Sequence, residues 1–462
     1  MRKVKFILFF LLSAIVTGQT KSRDTLTYKE FIYNVISEHP MAKIANLKQK
    51  IAKAKLLKAK GGFDPTLTSG IEQKYFYDKN YYNIFKNKIT IPTPIGINIT
   101  GGYDDNSGVF LNPENKTTNR GLWNAGVEID VIQGLLTNQR RTDLKLAKIY
   151  QKIAKSQQQQ MLNELIYKAS KSYAEWQQYS SIYDRLLENL ELSKMYLKNT
   201  KASLASGEKT AIDTLEANVY LQNNQIDIEK YKQLLAEKRI KLENYLWIKD
   251  APVLLQTHVF PESKSITPKS DQIKLSENLD SIPKIALKLA KREQLILKQK
   301  LNREKLKPKL KLKYNQLLGT DKQNLDPIYN VDNYKWGASL QIPIFYRKER
   351  GKYRESKYKV EEIGYEIAQK KLEIQNKIAI NQTNQKALVN QIILLEKNIK
   401  GYERLLQAET KKFEYGESSL FLINKRQEKL IESNLKLLSS ENKMIVNYLD
   451  FMLLTNNIIP QE

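Results

Sequence analysis

Several short segments of the chain alternate between apolar and polar residues. In the stretch 121–132, Trp123 and Val127 fall on one side and Glu128 and Asp130 on the other. Alternation with a period of two predicts a β-strand that has one apolar and one polar face. The pattern predicts four strands, over about 65–77, 121–132, 308–316 and 334–345.

The residues between the first two strands, 78–120, carry a shorter alternating pattern. Isoleucines occupy positions 89, 91, 95, 97 and 99, around Pro92 and Pro94. We interpret these residues as a short hairpin within a long external loop, and not as a further pair of spanning strands.

Much longer segments follow a helical pattern. No proline interrupts 140–206 or 347–415, and at 1.5 Å per residue a helix over either segment would be on the order of 100 Å long. Rods of this length must pack side by side as coiled coils. The segment after the first rod repeats apolar residues every seven positions, as at Leu221 and Ile228, and a second stripe through Val219 lies on nearly the opposite side. Two apolar flanks favour a neighbour on each side, as in the wall of a cylinder, although an ordinary antiparallel bundle has similar repeats.

The predicted elements occur twice in the same order. Pro40 and Pro65 are 25 residues apart, and Pro283 and Pro308 have the same separation. Each half predicts a helix, two strands joined by a loop, a very long helix, a glycine turn and a returning helix, which indicates two copies of one unit. The predicted organisation is a signal peptide (1–18), a first repeat (19–249, with helices over 28–61, 138–205 and 210–247), an equatorial linker (250–280) and a second repeat (281–462, with helices over 281–306, 348–414 and 419–455).

The first 18 residues have the pattern of a secretory signal peptide. Arg2, Lys3 and Lys5 precede an apolar run over 6–16, and the small residues Thr17 and Gly18 follow it. The run is too short for a membrane-spanning helix, which needs roughly 20 apolar residues. We therefore expect the chain to be exported and cleaved after residue 18.

Composition and charge exclude several classes of function. The chain has no cysteine, so thiolate metal sites and cysteine nucleophiles are excluded. Its 2 histidines, His39 and His258, lie far apart, so a multi-histidine metal site is poorly supported. Lysines and arginines number 76 against 50 acidic residues, a formal net charge of +26, but the lysines alternate with glutamates along the helices. This interleaving and the signal peptide argue against nucleic acid as a partner. We expect no cofactor, no metal and no enzymatic activity, because the carboxylates follow helical surface positions and form no acid–base constellation.

The predicted strands need partners from other subunits. Four amphipathic strands cannot close a membrane barrel, since even the smallest barrels have about eight strands. Left open in lipid, the edges of the sheet would have unsatisfied backbone groups. Three copies of four strands would give 12. The sequence therefore predicts an α+β membrane protein in which a trimer forms a 12-stranded β-barrel, continuous with a cylinder of long helices.

Several motifs carry a resemblance to a known family. They are the Phe63-Asp64-Pro65-Thr-Leu start of a strand, the strands that begin at Trp123 and Trp336, the pair Arg140-Arg141, and the segment 207–217 with the pattern G-x-x-T-x-x-D-x-L-x-A. In this order and spacing the sequence resembles the TolC-like family of outer-membrane efflux proteins, over nearly the whole chain after the signal peptide. The second tip keeps Gly416 but has Leu422 where the family aspartate would be.

The resemblance implies a location, an assembly and a role. It implies a homotrimer in the outer membrane of a Gram-negative bacterium, with a β-barrel in lipid and an α-helical coiled-coil tunnel in the periplasm. The family acts as a passive exit channel of tripartite efflux or type I secretion systems. Its partners are a periplasmic adaptor (membrane fusion) protein and an inner-membrane RND, ABC or MFS transporter. The alternative is a periplasmic coiled-coil adaptor without channel activity.

Three groups of residues are candidate functional sites. The turns between long helices are expected to form the periplasmic tip that docks the adaptor, through Ser206, Gly207, Glu208, Thr210, Asp213, Tyr415, Gly416 and Glu417. By the resemblance, Glu409 and Glu414 are candidate charges at the periplasmic aperture. Lys309, Lys311 and Lys313 alternate with leucines, and if they face the barrel lumen they would favour anionic cargo. The sequence does not identify the cargo.

Overall fold

A computed structural model describes residues 24–263, 266–268, 279–320 and 327–458. The predicted signal peptide, residues 1–18, and part of the predicted linker lie outside the described residues. Among the helices in these ranges, none combines the length and the apolar character needed to cross a membrane.

The first repeat and the linker contain the elements β1 to β8 and α1 to α4. In chain order they are β1 (Asp24–Leu26), α1 (Tyr28–Glu38), α2 (Pro40–Lys60), β2 (Thr66–Phe76), β3 (Lys79–Pro92), β4 (Ile97–Ser107), β5 (Leu122–Asp130), α3 (Gln139–Ala205), α4 (Ala211–Glu243), β6 (Trp247–Ile248), β7 (Ala251–Pro252) and β8 (Val259–Pro261). The second repeat continues with α5 (Pro283–Glu304), β9 (Lys309–Thr320), β10 (Pro327–Gln341), α6 (Arg347–Glu414) and α7 (Leu420–Leu454).

The helix predicted over 28–61 is in fact two helices. α1 ends at Glu38, and the next residue, His39, has an extended backbone with φ −64° and ψ 134°. The ring of Pro40 clashes with a helical conformation at the residue before it, whereas proline itself fits the first turn of a helix. The prediction of a single helix was therefore wrong, because Pro40 begins α2 and ends α1.

Contacts divide the chain into two compact units. The first unit lies within Met1–His39, Lys168–Ser270 and Asn384–Leu449. The second lies within Pro40–Tyr167, Asp271–Thr383 and Asp450–Glu462. Each unit takes segments from both sequence repeats, because the long helices α3, α6 and α7 contribute residues to both.

The first unit has a core between its long helices. Ile182, Leu186 and Leu190 of α3 are buried against Ile228 of α4, and partly buried residues of α7 such as Leu435 pack on the same cluster. Ile228 belongs to the seven-residue stripe through Leu221, whereas the three α3 residues follow one another at every fourth position, which is also one face of a helix. The packing of such apolar stripes, rather than helix propensity, supplies most of the stability of long helices.

The second unit contains the sheet. Within the described residues, six strands form one antiparallel sheet in the order β10, β9, β5, β4, β3 and β2. The predicted four strands per chain are therefore wrong, because β3 and β4 come from the segment assigned to an external loop. Ile89 and Ile91 alternate with Lys88 and Thr90 as in the other strands, and the hairpin lies between β2 and β5, where both of its edges find backbone partners.

Candidate functional site

The two turns between long helices lie in the first unit and share one backbone geometry. Gly207 and Gly416 both have φ +79°. In the first turn the Gly207 N–H donates to the Leu204 carbonyl at 3.1 Å, and the Glu208 N–H donates to the Ser203 carbonyl at 2.9 Å. This pair of bonds is the Schellman motif, in which a left-handed glycine satisfies the last carbonyls of the helix.

The second turn repeats the motif. The Gly416 N–H donates to the Phe413 carbonyl at 3.1 Å, and the Glu417 N–H donates to the Lys412 carbonyl at 2.8 Å. The two glycines of the sequence repeat therefore perform the same task, which is to end α3 and α6.

The first turn also starts the returning helix with a capping box. Thr210 is the N-cap of α4, and its hydroxyl oxygen accepts from the Asp213 N–H at 3.3 Å. The Asp213 carboxylate accepts in return from the Thr210 N–H at 2.8 Å. These bonds to Thr210 hold the pKa of Asp213 below its ordinary value. The G-x-x-T-x-x-D pattern is thus the signature of a tight turn between two long helices, in which glycine ends the first helix and Thr and Asp cap the start of the second.

The second turn replaces that capping box with a different contact. Ser419 precedes α7, and Leu422 occupies the position of the capping aspartate. Here Glu409 accepts a hydrogen bond from the Ser418 hydroxyl at 2.5 Å, and Arg426 Nε lies 3.5 Å from its other oxygen. The Ser418 hydroxyl and Arg426 lower the pKa of Glu409. Glu409, a candidate aperture charge, is therefore engaged within the turn, whereas Glu414 is exposed at the end of α6.

The two turns contact each other and leave apolar surface exposed. The Lys209 ammonium group lies 3.8 Å from the centre of the Phe413 ring, a cation–π contact that links the first turn to the end of α6. Tyr415 is 82% exposed, and Ile212 and Phe421 are also exposed beside the turns. Large apolar side chains exposed together mark a surface suited to binding another protein.

A buried polar network lies deeper between the same helices. Asn189 of α3 donates to Asn224 of α4 at 2.9 Å and accepts from Gln427 of α7 at 3.0 Å. Asn224 donates to Ser193 at 2.6 Å, and the Tyr220 hydroxyl approaches Asn189 at 3.4 Å. Polar side chains in a coiled-coil core fix the register of the helices, because a shifted register would leave them unsatisfied.

The sheet in the second unit has one apolar and one polar face. Its apolar face is open, with Leu67, Ile71 and Trp336 exposed to 74%, 71% and 68%. The other face carries lysines, threonines, glycines and carboxylates at the alternate positions of every strand. An apolar outer face and a polar inner face are the pattern of strands that stand in lipid around an aqueous lumen.

A carboxylate with three lysines lies on the polar face. Glu128 of β5 is 8% exposed, and Lys88 Nζ of β3 lies 2.7 Å from its Oε1. Lys311 and Lys313 of β9 lie 3.9 Å from the same carboxylate. Lys309, the third lysine predicted for the lumen, is on this face too, since it alternates with Leu310 and pairs in register with Gln341.

The structure brings together residues that the sequence did not connect. Lys88 lies in the segment predicted to be an external loop, and Ser418, Arg426 and Phe413 belong to none of the sequence motifs. Glu128 had a signal, because it occupies the polar phase of a predicted strand, but its partner strand was unknown. In the described residues no group of three or more His, Asp or Glu side chains is placed to hold a metal ion.

No protein-family model matches the sequence, and no curated protein sequence matches it. Solved structures match the fold. The Campylobacter jejuni CmeC outer membrane channel is 14% identical, with a TM-score of 0.64 over 93% of this chain and 85% of CmeC. The Vibrio cholerae outer membrane protein VceC is 12% identical, with a TM-score of 0.65 over 93% of this chain and 95% of VceC.

A third structure, the open state of the Neisseria gonorrhoeae MtrE outer membrane channel, is 13% identical, with a TM-score of 0.65 over 93% of this chain and 88% of MtrE. The match extends over more than nine-tenths of the chain in each case, so it includes both sequence repeats. The predicted resemblance is thus confirmed at the level of the fold, and the chain has the fold of the outer-membrane channels of the TolC-like type.

Proposed function

We propose that the protein is a passive outer-membrane exit channel, assembled as a homotrimer in a Gram-negative bacterium. The sheet forms the membrane part, and the long helices form a periplasmic tunnel. The chain acts within a tripartite efflux or type I secretion system, together with a periplasmic adaptor and an inner-membrane RND, ABC or MFS transporter. The similarity to channels of known structure supports this proposal.

The open sheet with an exposed apolar face is the observation that carries the proposal. Among the described strands, β2 and β10 each pair on one side only, so both edges have backbone groups available for another chain. The strands of the sheet are 9 to 15 residues long, and about 9–11 residues suffice to cross a bilayer. Pairing β2 of one copy with β10 of the next satisfies both edges and closes the sheet.

The number of strands changes the expected pore. If the six described strands all enter the barrel, three copies give 18 strands instead of the 12 expected from the sequence. Barrel diameter grows roughly linearly with strand number, and barrels of about 16–18 strands leave an aqueous channel. We propose that the β3–β4 hairpin widens the membrane pore.

The first test is assembly and conduction. The mature protein should fractionate with outer membranes, behave as a trimer in detergent and form ion-conducting pores in planar bilayers. The alternative, a periplasmic adaptor, predicts a protein that leaves the membrane fraction in salt and never conducts. A purified trimer in lipid without conductance under any voltage would refute the channel function.

The second test places the β3–β4 hairpin. The chain has no cysteine, so single cysteines introduced at Lys88 and Ile89 report on their sites without background. In a spanning β3, Lys88→Cys faces the lumen and reacts with a water-soluble maleimide, whereas Ile89→Cys faces lipid and does not. Equal labelling of both cysteines would place the hairpin outside the membrane and refute the 18-stranded barrel.

The third test concerns the tips as the docking site for the adaptor. Gly207→Val with Gly416→Val should impair export while trimers remain in the membrane, because valine does not tolerate φ +79° and the turns would distort. Gly401→Val is the matched control, since this helical glycine lies in α6 and a Cβ there meets no atom within 4 Å. Normal export by the double variant would contradict the tip assignment.

A further inference from the structure

The polar face of the sheet is concave around Glu128. Lys88 on β3 reaches Glu128 on β5 at 2.7 Å, across the intervening strand β4. Strands that are two apart in a flat sheet are separated by nearly 10 Å. The Thr100 hydroxyl of β4 likewise donates to Asn315 Oδ1 of β9 at 3.1 Å, across β5. Side chains of this face therefore converge, as they do on the inner wall of a barrel.

Glycines make the convergence possible. Gly126 separates Thr100 from Asn315, and a Cβ at this position would overlap the Tyr314 carbonyl oxygen and the Asn315 side chain. Gly102 pairs with Lys88, and a Cβ there would lie 2.7 Å from the Asn87 carbonyl oxygen. The approach of Thr100 to Asn315 is thus built into the strands, because Gly126 leaves the space between them free.

The cluster carries more positive than negative charge. Lys88 is within hydrogen-bond distance of Glu128, but Lys311 and Lys313 at 3.9 Å are beyond it. Glu128 therefore balances Lys88, and Asp130, which pairs in register with Lys311 on the same face, adds a second negative charge. With Lys309 on this face as well, four lysines stand against two carboxylates, and Lys311 and Lys313 keep N–H donors that an anion in the lumen can use. Charges in a pore with low-dielectric walls raise the local concentration of the opposite ion.

We propose that Glu128, Lys88, Lys311 and Lys313 form an anion-selecting site on the lumenal wall, and that Glu128 sets its strength. The proposal rests on the channel function proposed above. A passing anion, such as a carboxylate or phosphate group of the cargo, replaces Glu128 as the ionic partner of Lys311 and Lys313. Glu128 weakens the attraction enough for the anion to leave, which conduction requires.

The experiment is a reversal-potential measurement on trimers in planar bilayers under a potassium chloride gradient. The wild-type channel should prefer chloride over potassium. Glu128→Gln should raise the chloride-to-potassium permeability ratio about twofold, and Lys313→Gln should lower it by a similar factor, since each variant changes one lumenal charge in the opposite sense.

A matched control separates this site from general lumen charge. Glu72→Gln removes one charge from the same face of the sheet, but Glu72 pairs in register with Ile84 and not with a lysine. The control should shift the permeability ratio less than half as much as Glu128→Gln. Equal shifts in both variants would overturn the role of Glu128.

The remaining outcomes are also decisive. An unchanged ratio in conducting Glu128→Gln channels overturns the selecting site and leaves the channel function intact. Absence of conductance in the wild type overturns the channel function and the site with it. If Glu128→Gln fails to assemble, Lys313→Gln still decides, because a ratio equal to wild type in that variant refutes the site.

Discussion

Replacing Asn189 by alanine tests whether the buried polar network holds the long helices of the first unit in register. The Asn189 side chain is 3% exposed and connects α3 with Asn224 of α4 and Gln427 of α7. Its removal leaves the buried Gln427 amide N–H without an acceptor on α3. It also removes the N–H that Asn189 donates to Asn224 Oδ1. We expect the local structure of all three helices to weaken.

The magnitude follows from the groups that lose partners. A buried polar group left unsatisfied costs about 1–3 kcal/mol, and we take about 2 kcal/mol for the Gln427 amide. We take about 1 kcal/mol for Asn224, because the Tyr220 hydroxyl lies within the same network and can replace part of its loss. Alanine returns roughly 0.5 kcal/mol through its higher helix propensity. The net loss is about 2.5 kcal/mol, or roughly a 60-fold rise in local opening.

Amide hydrogen exchange on the trimer measures this opening directly. The protection factors of amides in α3 around Asn189, and in the facing turns of α4 and α7, should fall roughly 60-fold. Asn199→Ala is the matched control, because Asn199 is an exposed residue of the same helix and the substitution of asparagine by alanine changes the helix propensity by the same amount. Protection within threefold of that control in Asn189→Ala would refute the network as a determinant of register.

Three further perturbations test the turns and the sheet. Gly207→Val should destabilise the end of α3 by roughly 1–2 kcal/mol through its left-handed backbone alone, since a Cβ there meets no atom within 4 Å, and exchange at that turn measures it. Thr210→Ala should cost about 1 kcal/mol at the start of α4. Because the pKa of Asp213 is lowered, its carboxylate stabilises the start of α4 fully above the ordinary pKa of 3.8, and this stabilisation is lost as the pH falls through the lowered pKa. Amide exchange measured from pH 7 to 3 should show this loss in the wild type and not in Thr210→Ala. Gly126→Ala should prevent assembly of heat-stable trimers on gels, because the added Cβ overlaps the backbone of β9, whereas Gly337→Ala, with open space around it, should assemble normally.

The helical part of the molecule was largely readable from local pattern. α3 spans Gln139–Ala205 and α6 spans Arg347–Glu414, and both end at a glycine visible in the sequence. Heptads, the absence of proline and a glycine followed by Thr and Asp are all local signals. A helix satisfies its own backbone, so residues a few positions apart determine where it begins and ends.

The sheet was less readable because its pairing is not local. Ile89 and Ile91 alternate with Lys88 in the sequence, but the length of the segment between the flanking strands favours a loop over further strands. A structureless loop of that length is, however, uncommon in a compact fold, and this signal points to further strands. The position of the hairpin in the sheet depends on the free backbone edges of β2 and β5. No local sequence pattern identifies these pairing partners.

By itself the sequence determined the long helices, the turns that end them, the two-faced strands and the duplication, since each depends on periodicity or on a backbone preference within a few residues. Tertiary structure decided the order of the strands, the meeting of Lys88 with Glu128, and the network of Asn189 with Gln427. These contacts join residues that are tens to hundreds of positions apart along the chain. Their geometry arises from hydrogen-bond pairing between strands and from packing between helices, which only the folded chain brings into being.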